Sequence, residues 1–179
     1  MYQFESEPAV QTQVADALTT AGESVAVAES ITGGLVGALV TEVPGSGGFF
    51  DRSLVTYTYE AKRDELGVQR SVLQDIGAVN ETVAEQMARG ARNAAGTAWG
   101  LATTGLAGPP DEKHDQPVGT VYIGVVRGPT GGHGKSTVQV SEYAFDGSRS
   151  EIKERAARQA LQNLLEAVSA DSPAPERGE

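Results

Sequence analysis

The residues with the clearest chemical potential lie in residues 28–34, which read Ala-Glu-Ser-Ile-Thr-Gly-Gly. An apolar run precedes this segment and an apolar helical pattern follows it, which predicts a strand, a sharp turn and a helix. Ser30 and Thr32 would place hydroxyls at the turn. The first amides of the helix would point at whatever lies over it, which favours an anion or a developing oxyanion. One short segment could therefore supply a nucleophile and the donors that stabilise its product.

A purely structural role for this segment is also open, because Ser and Thr often cap helices and glycine pairs are common in turns. Two further segments favour a functional site. Residues 57–62 read Tyr-Thr-Tyr-Glu-Ala-Lys and residues 104–109 read Thr-Gly-Leu-Ala-Gly-Pro, and each again closes an apolar run. In an α/β sheet, ligands bind at the carboxyl ends of the strands, where all three segments are expected.

The composition limits the chemistry that such a site could perform. There is no cysteine, so disulfides, thiolate nucleophiles and cysteine-based metal sites are excluded. The two histidines, His114 and His133, lie in loop-like segments, which disfavours a Ser-His-Asp triad and a histidine metal site. A hydrolase built from this sequence would take its base from lysine, tyrosine or a carboxylate, and we expect neither a metal nor a cofactor.

The charge and hydropathy indicate the class of partner. A net charge of −10 disfavours nucleic acid as a main partner, because phosphate binding needs a basic face. No apolar run approaches the roughly 20 residues that cross a bilayer, and the first residues lack a signal-peptide pattern. We therefore expect a cytoplasmic protein without a membrane partner. We further expect a small-molecule ligand and a homo-oligomer, a dimer or larger.

Alternating strand and helix patterns in the first half predict parallel strand pairs, and a later hairpin adds antiparallel ones. The expected fold is three-layer α/β/α with a mixed, mostly parallel sheet, over a single domain at residues 1–169, with a disordered tail at 170–179. Helices are predicted at residues 8–21, 34–42, around 62–66, 71–76, 81–95 and from a capping box at 148–151 onward, and strands at 24–28, 53–58, 97–104, 118–127 and 136–145.

Two further motifs resemble known functional sites but lack the residues that those sites require. Residues 134–136 read Gly-Lys-Ser, as at the end of a phosphate-binding loop, but the earlier glycine is replaced by Pro129 and a strand follows. Ser150 and Lys153 have the Ser-x-x-Lys spacing of penicillin-recognising enzymes, but the companion Ser-Asp-Asn and Lys-Thr-Gly motifs are absent. Ser150 is better explained as part of a helix start.

Taken together, the motifs resemble the C-terminal domain of the CinA (competence/damage-inducible) family, which also occurs alone as nicotinamide-nucleotide amidohydrolase. The matches run in family order across about residues 8–168. They are residues 28–34, 43–46, 57 with 60–63, 66–68, 77–79, 104–109 and 117–122.

The resemblance implies hydrolysis of the carboxamide of nicotinamide mononucleotide, which gives nicotinic acid mononucleotide and ammonia. It implies a serine–lysine site without a metal, in which Ser30 is the nucleophile, Lys62 its base, and Tyr57 and Thr104 supporting hydroxyls. The substrate-binding residues are expected to be Thr32, Gly33, Gly34, Gly105 and Gly108. Desolvation in a cleft could lower the pKa of a lysine from about 10.4 far enough for this role.

The sequence departs from the family pattern at two places. Ile31 stands where the family often has a small residue or cysteine, and we expect its side chain to turn into the core. Acidic residues follow Gly108, where the family tends toward glycines, and acids near a phosphate are unfavourable. A second class of function also stays open, namely a nucleotide-binding sensor or partner module that does not react. The environment of Lys62 distinguishes these two classes of function. An enzyme needs this lysine buried beside Ser30, whereas a binding module could leave it in solvent or on a phosphate.

Overall fold

The computed structural model describes residues 9–110, 116–129 and 136–171. Its helices are α1 (Val10–Ala21), α2 (Leu35–Thr41), α3 (Tyr59–Leu66), α4 (Arg70–Ile76), α5 (Glu81–Ala95) and α6 (Arg149–Asp171), with a short 3-10 turn at Ser46–Gly48. Its strands are β1 (Val25–Glu29), β2 (Phe50–Val55), β3 (Trp99–Gly105), β4 (Thr120–Arg127) and β5 (Thr137–Ala144). His114, His133 and most of the predicted tail lie outside the described residues, and α6 includes the first two residues of that tail, 170 and 171.

The five strands form one mixed sheet in the order β2-β1-β3-β4-β5. The pairs β1–β2 and β1–β3 are parallel, whereas β3–β4 and β4–β5 are antiparallel. The predicted three-layer α/β fold with a mixed sheet is confirmed, but parallel pairs are not the majority. The reason is that no helix of the described residues lies between β3 and β4, so the chain returns without a crossover.

Two apolar cores cover the two faces of the sheet. One core packs α1, α2 and α6 against alternate residues of β1, such as Val25 and Val27. The other packs α3, α4 and α5 against the intervening residues, Ala26 and Ala28. Because successive side chains of a strand point to opposite faces, β1 is buried along its whole length.

Small residues on the second face allow α5 to approach the sheet closely. A β-carbon placed on Gly100 would lie 2.0 Å from the carbonyl oxygen of Ala88 in α5, and one on Gly124 would lie 2.6 Å from that of Ala84. The α5 backbone therefore rests directly on β3 and β4. This contact holds the α4–α5 loop at the carboxyl end of the sheet.

The predicted position of the second strand was wrong by about three residues. The β-branched and aromatic residues 53–58 suggested a strand, but β2 begins at Phe50 and ends at Val55. Thr58 instead caps α3, accepting a hydrogen bond from the Ala61 amide at 3.1 Å. No helix of the described residues is long and apolar enough to span a membrane.

Candidate active site

Ser30 lies immediately after the central strand β1, at the carboxyl edge of the parallel strands. Its amide donates to the Thr103 carbonyl of β3 at 2.9 Å, which continues the strand pairing by one residue. The alternation of β1 turns the Ser30 side chain to the face covered by α3 and α5. Ser30 is buried, with 7% of its surface exposed.

Lys62 reaches Ser30 from α3. The Lys62 ammonium nitrogen, Nζ, donates to Ser30 Oγ at 2.9 Å, to the Thr56 carbonyl at 2.7 Å and to the Tyr57 carbonyl at 3.1 Å. Helical side chains lean toward the helix N-terminus, so a lysine one turn into α3 points back at the residues that precede the helix. The predicted contact between the Lys62 amine and the Ser30 hydroxyl is therefore confirmed.

The surroundings of Lys62 favour its neutral form more than those of a surface lysine. The side chain is fully buried, at 0% exposure, and burial lowers the pKa of Lys62 to about 8. No carboxylate of the described residues forms an ion pair with it. A neutral amine has two N–H groups and one lone pair. When the two carbonyls accept the N–H groups, the lone pair faces Ser30.

Two threonines flank Ser30 in the sheet, on the same face. Thr104 follows Thr103, which is the register partner of Glu29. The Thr104 hydroxyl donates a hydrogen bond to the Ala78 carbonyl at 2.7 Å. Thr56 lies on the other side, and its amide donates to the Glu29 carbonyl at 2.9 Å. Three hydroxyls thus lie in a row at the carboxyl ends of β2, β1 and β3.

The Tyr57 side chain lies away from the Ser30–Lys62 contact. It is 63% exposed, and its hydroxyl accepts a hydrogen bond from Arg149 Nη2 at 3.2 Å. Only the main-chain carbonyl of Tyr57 reaches Lys62. Tyr57 therefore contributes a carbonyl to the lysine and an aromatic ring to the rim of the site.

The buried carboxylate of Glu29 takes the amides that the sequence assigned to a ligand. Its oxygens accept from the amides of Gly34 at 2.9 Å, Val36 at 3.1 Å and Gly37 at 2.9 Å. They also accept from Ser53 Oγ at 2.6 Å. The expectation that the first amides of α2 face a ligand is wrong for these three, because an internal acid satisfies them.

Thr32 also turns inward. Its hydroxyl donates to Glu29 Oε2 at 2.7 Å and lies 2.7 Å from Thr103 Oγ1, and the residue is fully buried. A substrate contact from Thr32 would therefore come from its main chain. Ile31 is buried in the core beneath α6, as expected.

The glycines of the predicted site differ in what they face. Gly33 is exposed at the turn, with φ +59°. Gly34 lies beside the Val55 side chain, since a β-carbon there would be 3.7 Å from Val55 Cγ2. Gly105 packs against Ile31 and β4, and the Gly108 carbonyl accepts a hydrogen bond from Arg149 Nη1.

The first two turns of α6 bring cations to the site that the sequence interpretation did not assign. Arg149 bonds Tyr57 after β2 and Gly108 after β3, so its guanidinium spans the end of β1. Lys153 lies one turn later, against the outside of the Gly33 turn. Their i, i+4 spacing after the Ser148–Glu151 capping box was the signal that could have identified them.

This arrangement has the parts of a serine hydrolase with a lysine base: a buried hydroxyl, an amine in contact with it and cations at the rim. Among the described residues, no three His, Cys, Asp or Glu side chains lie close enough to hold a metal.

Comparisons with known proteins agree with this fold. The model of the CinA C-terminal domain family matches residues 7–168. A CinA-like protein of Syntrophotalea carbinolica is 42% identical over 151 residues, which cover 84% of this chain and 35% of that protein. A CinA-like protein of Synechocystis sp. is 38% identical over 163 residues, which cover 91% of this chain and 38% of that protein. The chain thus spans little more than a third of the length of these curated relatives.

Solved structures of CinA-type proteins have the same fold as this chain. The competence damage-inducible protein A (ComA) of Klebsiella pneumoniae superposes with a TM-score of 0.84 at 29% identity, over 91% of this chain and 97% of that one. The competence/damage inducible protein CihA of Agrobacterium tumefaciens superposes with a TM-score of 0.79 at 34% identity, over 94% and 99%. With a family match over nearly its whole length, the chain belongs to the CinA C-terminal domain family.

Proposed function

We propose that this protein is an amidohydrolase that converts nicotinamide mononucleotide to nicotinic acid mononucleotide and ammonia. Ser30 is the nucleophile and Lys62 is its base. The observation that carries the proposal is the hydrogen bond of 2.9 Å between a fully buried lysine, whose pKa is lowered to about 8, and a serine at the carboxyl edge of the sheet. The nicotinamide carboxamide as substrate rests on the family resemblance.

The reaction proceeds through an acyl-enzyme. Neutral Lys62 takes the Ser30 proton as Oγ attacks the carboxamide carbon. The resulting ammonium then protonates the nitrogen as the C–N bond breaks, and ammonia leaves. A water molecule attacks the ester, giving its proton to Lys62, and the Ser30–carbon bond breaks with return of that proton to Ser30. Hydroxyl, amine and water are thus restored, and nicotinic acid mononucleotide is released.

The oxyanion of each tetrahedral intermediate needs donors that are not already used. Glu29 occupies the amides of Gly34, Val36 and Gly37. The amides of Ile31 and Thr32 have no acceptor among the described residues and come directly after the nucleophile. We assign the oxyanion to these amides, since donors that are fixed before the reaction are the most effective.

Thr104 and Tyr57 support this reaction without taking part in proton transfer. The Thr104 hydroxyl gives its hydrogen to the Ala78 carbonyl, so its lone pairs are free to accept a hydrogen bond from the leaving nitrogen. Tyr57 holds Lys62 through its carbonyl, and its exposed ring offers a stacking surface at the rim.

The alternative function is a nucleotide-binding sensor or partner module that does not react. Such a module gains nothing from desolvating a lysine against a serine hydroxyl, because burying a cation without a carboxylate costs free energy. A binder would leave Lys62 in solvent or on a phosphate. The burial of Lys62 beside Ser30 therefore favours the enzyme over the binding module.

The test is ammonia release from nicotinamide mononucleotide by the purified protein and by Ser30→Ala. We expect turnover by the unchanged protein and a loss of roughly a thousandfold or more in Ser30→Ala, with the melting temperature nearly unchanged. Ser150→Ala is the matched control, because Ser150 is an exposed serine in the rejected Ser-x-x-Lys motif. Near-native turnover by Ser30→Ala would remove the nucleophile assignment.

A further inference from the structure

Among the residues that the structure describes, Lys153 is a cation without an anionic partner, in a chain that is acidic overall. Its side chain is half-buried, and it forms no hydrogen bond or ion pair with any of the residues that the structure describes. Five arginines of the described chain pair with a carboxylate, namely Arg52, Arg63, Arg89, Arg127 and Arg158. With 24 acids against 14 bases in the chain, an unpaired lysine beside the site needs an explanation.

The position of Lys153 suggests that explanation. A β-carbon placed on Gly33 would lie 3.2 Å from Lys153 Nζ, so the ammonium rests against the outer side of the turn that carries Ser30. Gly33 has no side chain to separate the ammonium from a group bound over the turn. Arg149, one helical turn earlier, bonds the neutral oxygens of Tyr57 and Gly108, and no carboxylate of the described residues forms an ion pair with it.

Glu29 occupies the backbone amides at the start of α2 that could otherwise bind an anion. A helix N-terminus after a glycine turn commonly holds phosphate through its free amides. Here the amides of Gly34, Val36 and Gly37 bond Glu29, and its negative charge lies beneath the turn. The three amides that Glu29 occupies are therefore not available to a phosphate, and the charged groups that face the outer side of this turn are the Lys153 ammonium and the Arg149 guanidinium.

We propose that Lys153 determines specificity by holding the phosphate of the nucleotide substrate over Gly33, and thereby selects a phosphorylated substrate over the nucleoside. This inference rests on the proposed function. A phosphate monoester carries nearly two negative charges and suits a site with two uncompensated cations. The ammonium contacts the phosphate, while the reacting carboxamide lies at Ser30 and Lys62.

The experiment compares kcat/KM for nicotinamide mononucleotide with that for nicotinamide riboside, which lacks the phosphate. We expect Lys153→Gln to lose about tenfold or more on the mononucleotide and less than about twofold on the riboside, because one charge-assisted hydrogen bond is lost. Lys153→Arg should keep most of the preference. Arg158→Gln is the matched control, because it removes a cation of the same helix that pairs with Glu154.

Equal losses on the two substrates, or an unchanged preference in Lys153→Gln, would overturn the proposal. Lys153→Met, which keeps the apolar stem and removes only the charge, gives the same test if the glutamine variant melts early. Raising the salt concentration should weaken the preference of the unchanged protein and leave that of Lys153→Gln nearly constant.

A binding measurement separates this inference from the proposed reaction. Calorimetric titration of Ser30→Ala with nicotinamide mononucleotide needs no turnover. The Kd should rise about tenfold or more when Lys153→Gln is added to that variant. If the unchanged protein releases no ammonia but Kd still depends on Lys153, the reaction fails and the phosphate site stands. If ammonia is released and Kd is the same in both variants, the phosphate site fails and the reaction stands.

Discussion

At the residue scale, the central feature is an amine that is held in place by carbonyl oxygens and not by an acid. A carboxylate beside Lys62 would stabilise its ammonium form and make it a poor base. The carbonyls of Thr56 and Tyr57 orient the amine, and burial lowers its pKa to about 8. The amine can therefore lose its proton near neutral pH and still point at Ser30.

Replacement of this lysine by arginine separates charge from basicity. We expect Lys62→Arg to lower kcat by about 10²- to 10⁴-fold, because a guanidinium does not lose its proton in this pH range. Ammonia release under saturating substrate measures the effect. The neighbouring exchange Arg63→Lys is the control, since Arg63 is exposed and bonds Asp64. Retention of most activity by Lys62→Arg would mean that the residue only supplies charge and that another group is the base.

The pH profile tests the same residue without a mutation. In the proposed mechanism the reactive form of Lys62 is neutral, and burial lowers the pKa of Lys62 to about 8. Below this value kcat/KM should rise about tenfold per pH unit, and above it the profile should level off. Initial rates between pH 6 and pH 10 would show an inflection at about 8. A profile that is flat through this range, or that falls as the pH rises, would contradict the assignment of Lys62 as base.

At the element scale, Glu29 connects three elements beside Ser30. It is the last residue of β1, accepts from the first amides of α2 and accepts from Ser53 in β2. α2 also approaches β2 closely at this point, because a β-carbon on Gly37 would lie 2.9 Å from Ser53 Cβ. The position of Ser30 thus depends on an acid that has no role in the proposed reaction.

Glu29→Gln tests whether the Glu29 carboxylate stabilises the contact of β1 with α2 and β2. A glutamine amide places N–H groups opposite backbone donors, and we expect it to lower the free energy of unfolding by about 2–4 kcal/mol and to reduce turnover. Urea unfolding measures the stability. The control is Ser53→Ala, which removes one donor and should cost about 1 kcal/mol. Equal stabilities of Glu29→Gln and the unchanged protein would show that the carboxylate does not hold the turn.

At the scale of the whole molecule, the order of the strands assembles the site. β2 and β3 flank β1, so the residues that follow these three strands meet at one edge of the sheet. The helix α6, on the opposite side of the sheet from α3, reaches this edge with its first turns. The site therefore takes Lys62 from one helical layer and its rim cations from the other.

The composition of the whole chain also bears on metal dependence. With no cysteine and only two histidines, the sequence offers oxygen ligands almost alone. We expect ammonia release to be unchanged after treatment with a chelator and dialysis, and unchanged by added Mg²⁺, Mn²⁺ or Zn²⁺. A large loss of rate that one metal restores would contradict this expectation and direct attention to the acids of residues 111–115.

From the sequence alone, local patterns predicted the three-layer fold and the meeting of the polar segments at one sheet edge, whereas the pairing of Ser30 with Lys62 was implied by the family resemblance. Apolar periodicity and caps define the elements, as at Asn80 before α5, and strand ends carry the polar groups. The bounds of β2 were predicted wrongly, because the β-branched and aromatic residues 56–58 suit a turn and a helix cap as well as they suit a strand.

Only the tertiary structure decided which groups near the turn are free. Glu29 lies in the same motif as Ser30, yet its capture of the α2 amides depends on how the turn folds back. Lys153 is 120 residues from Gly33, and its contact with the turn depends on the packing of α6 across the sheet. Local pattern determines which elements form, whereas the satisfaction of charges and hydrogen bonds is a property of the packed molecule.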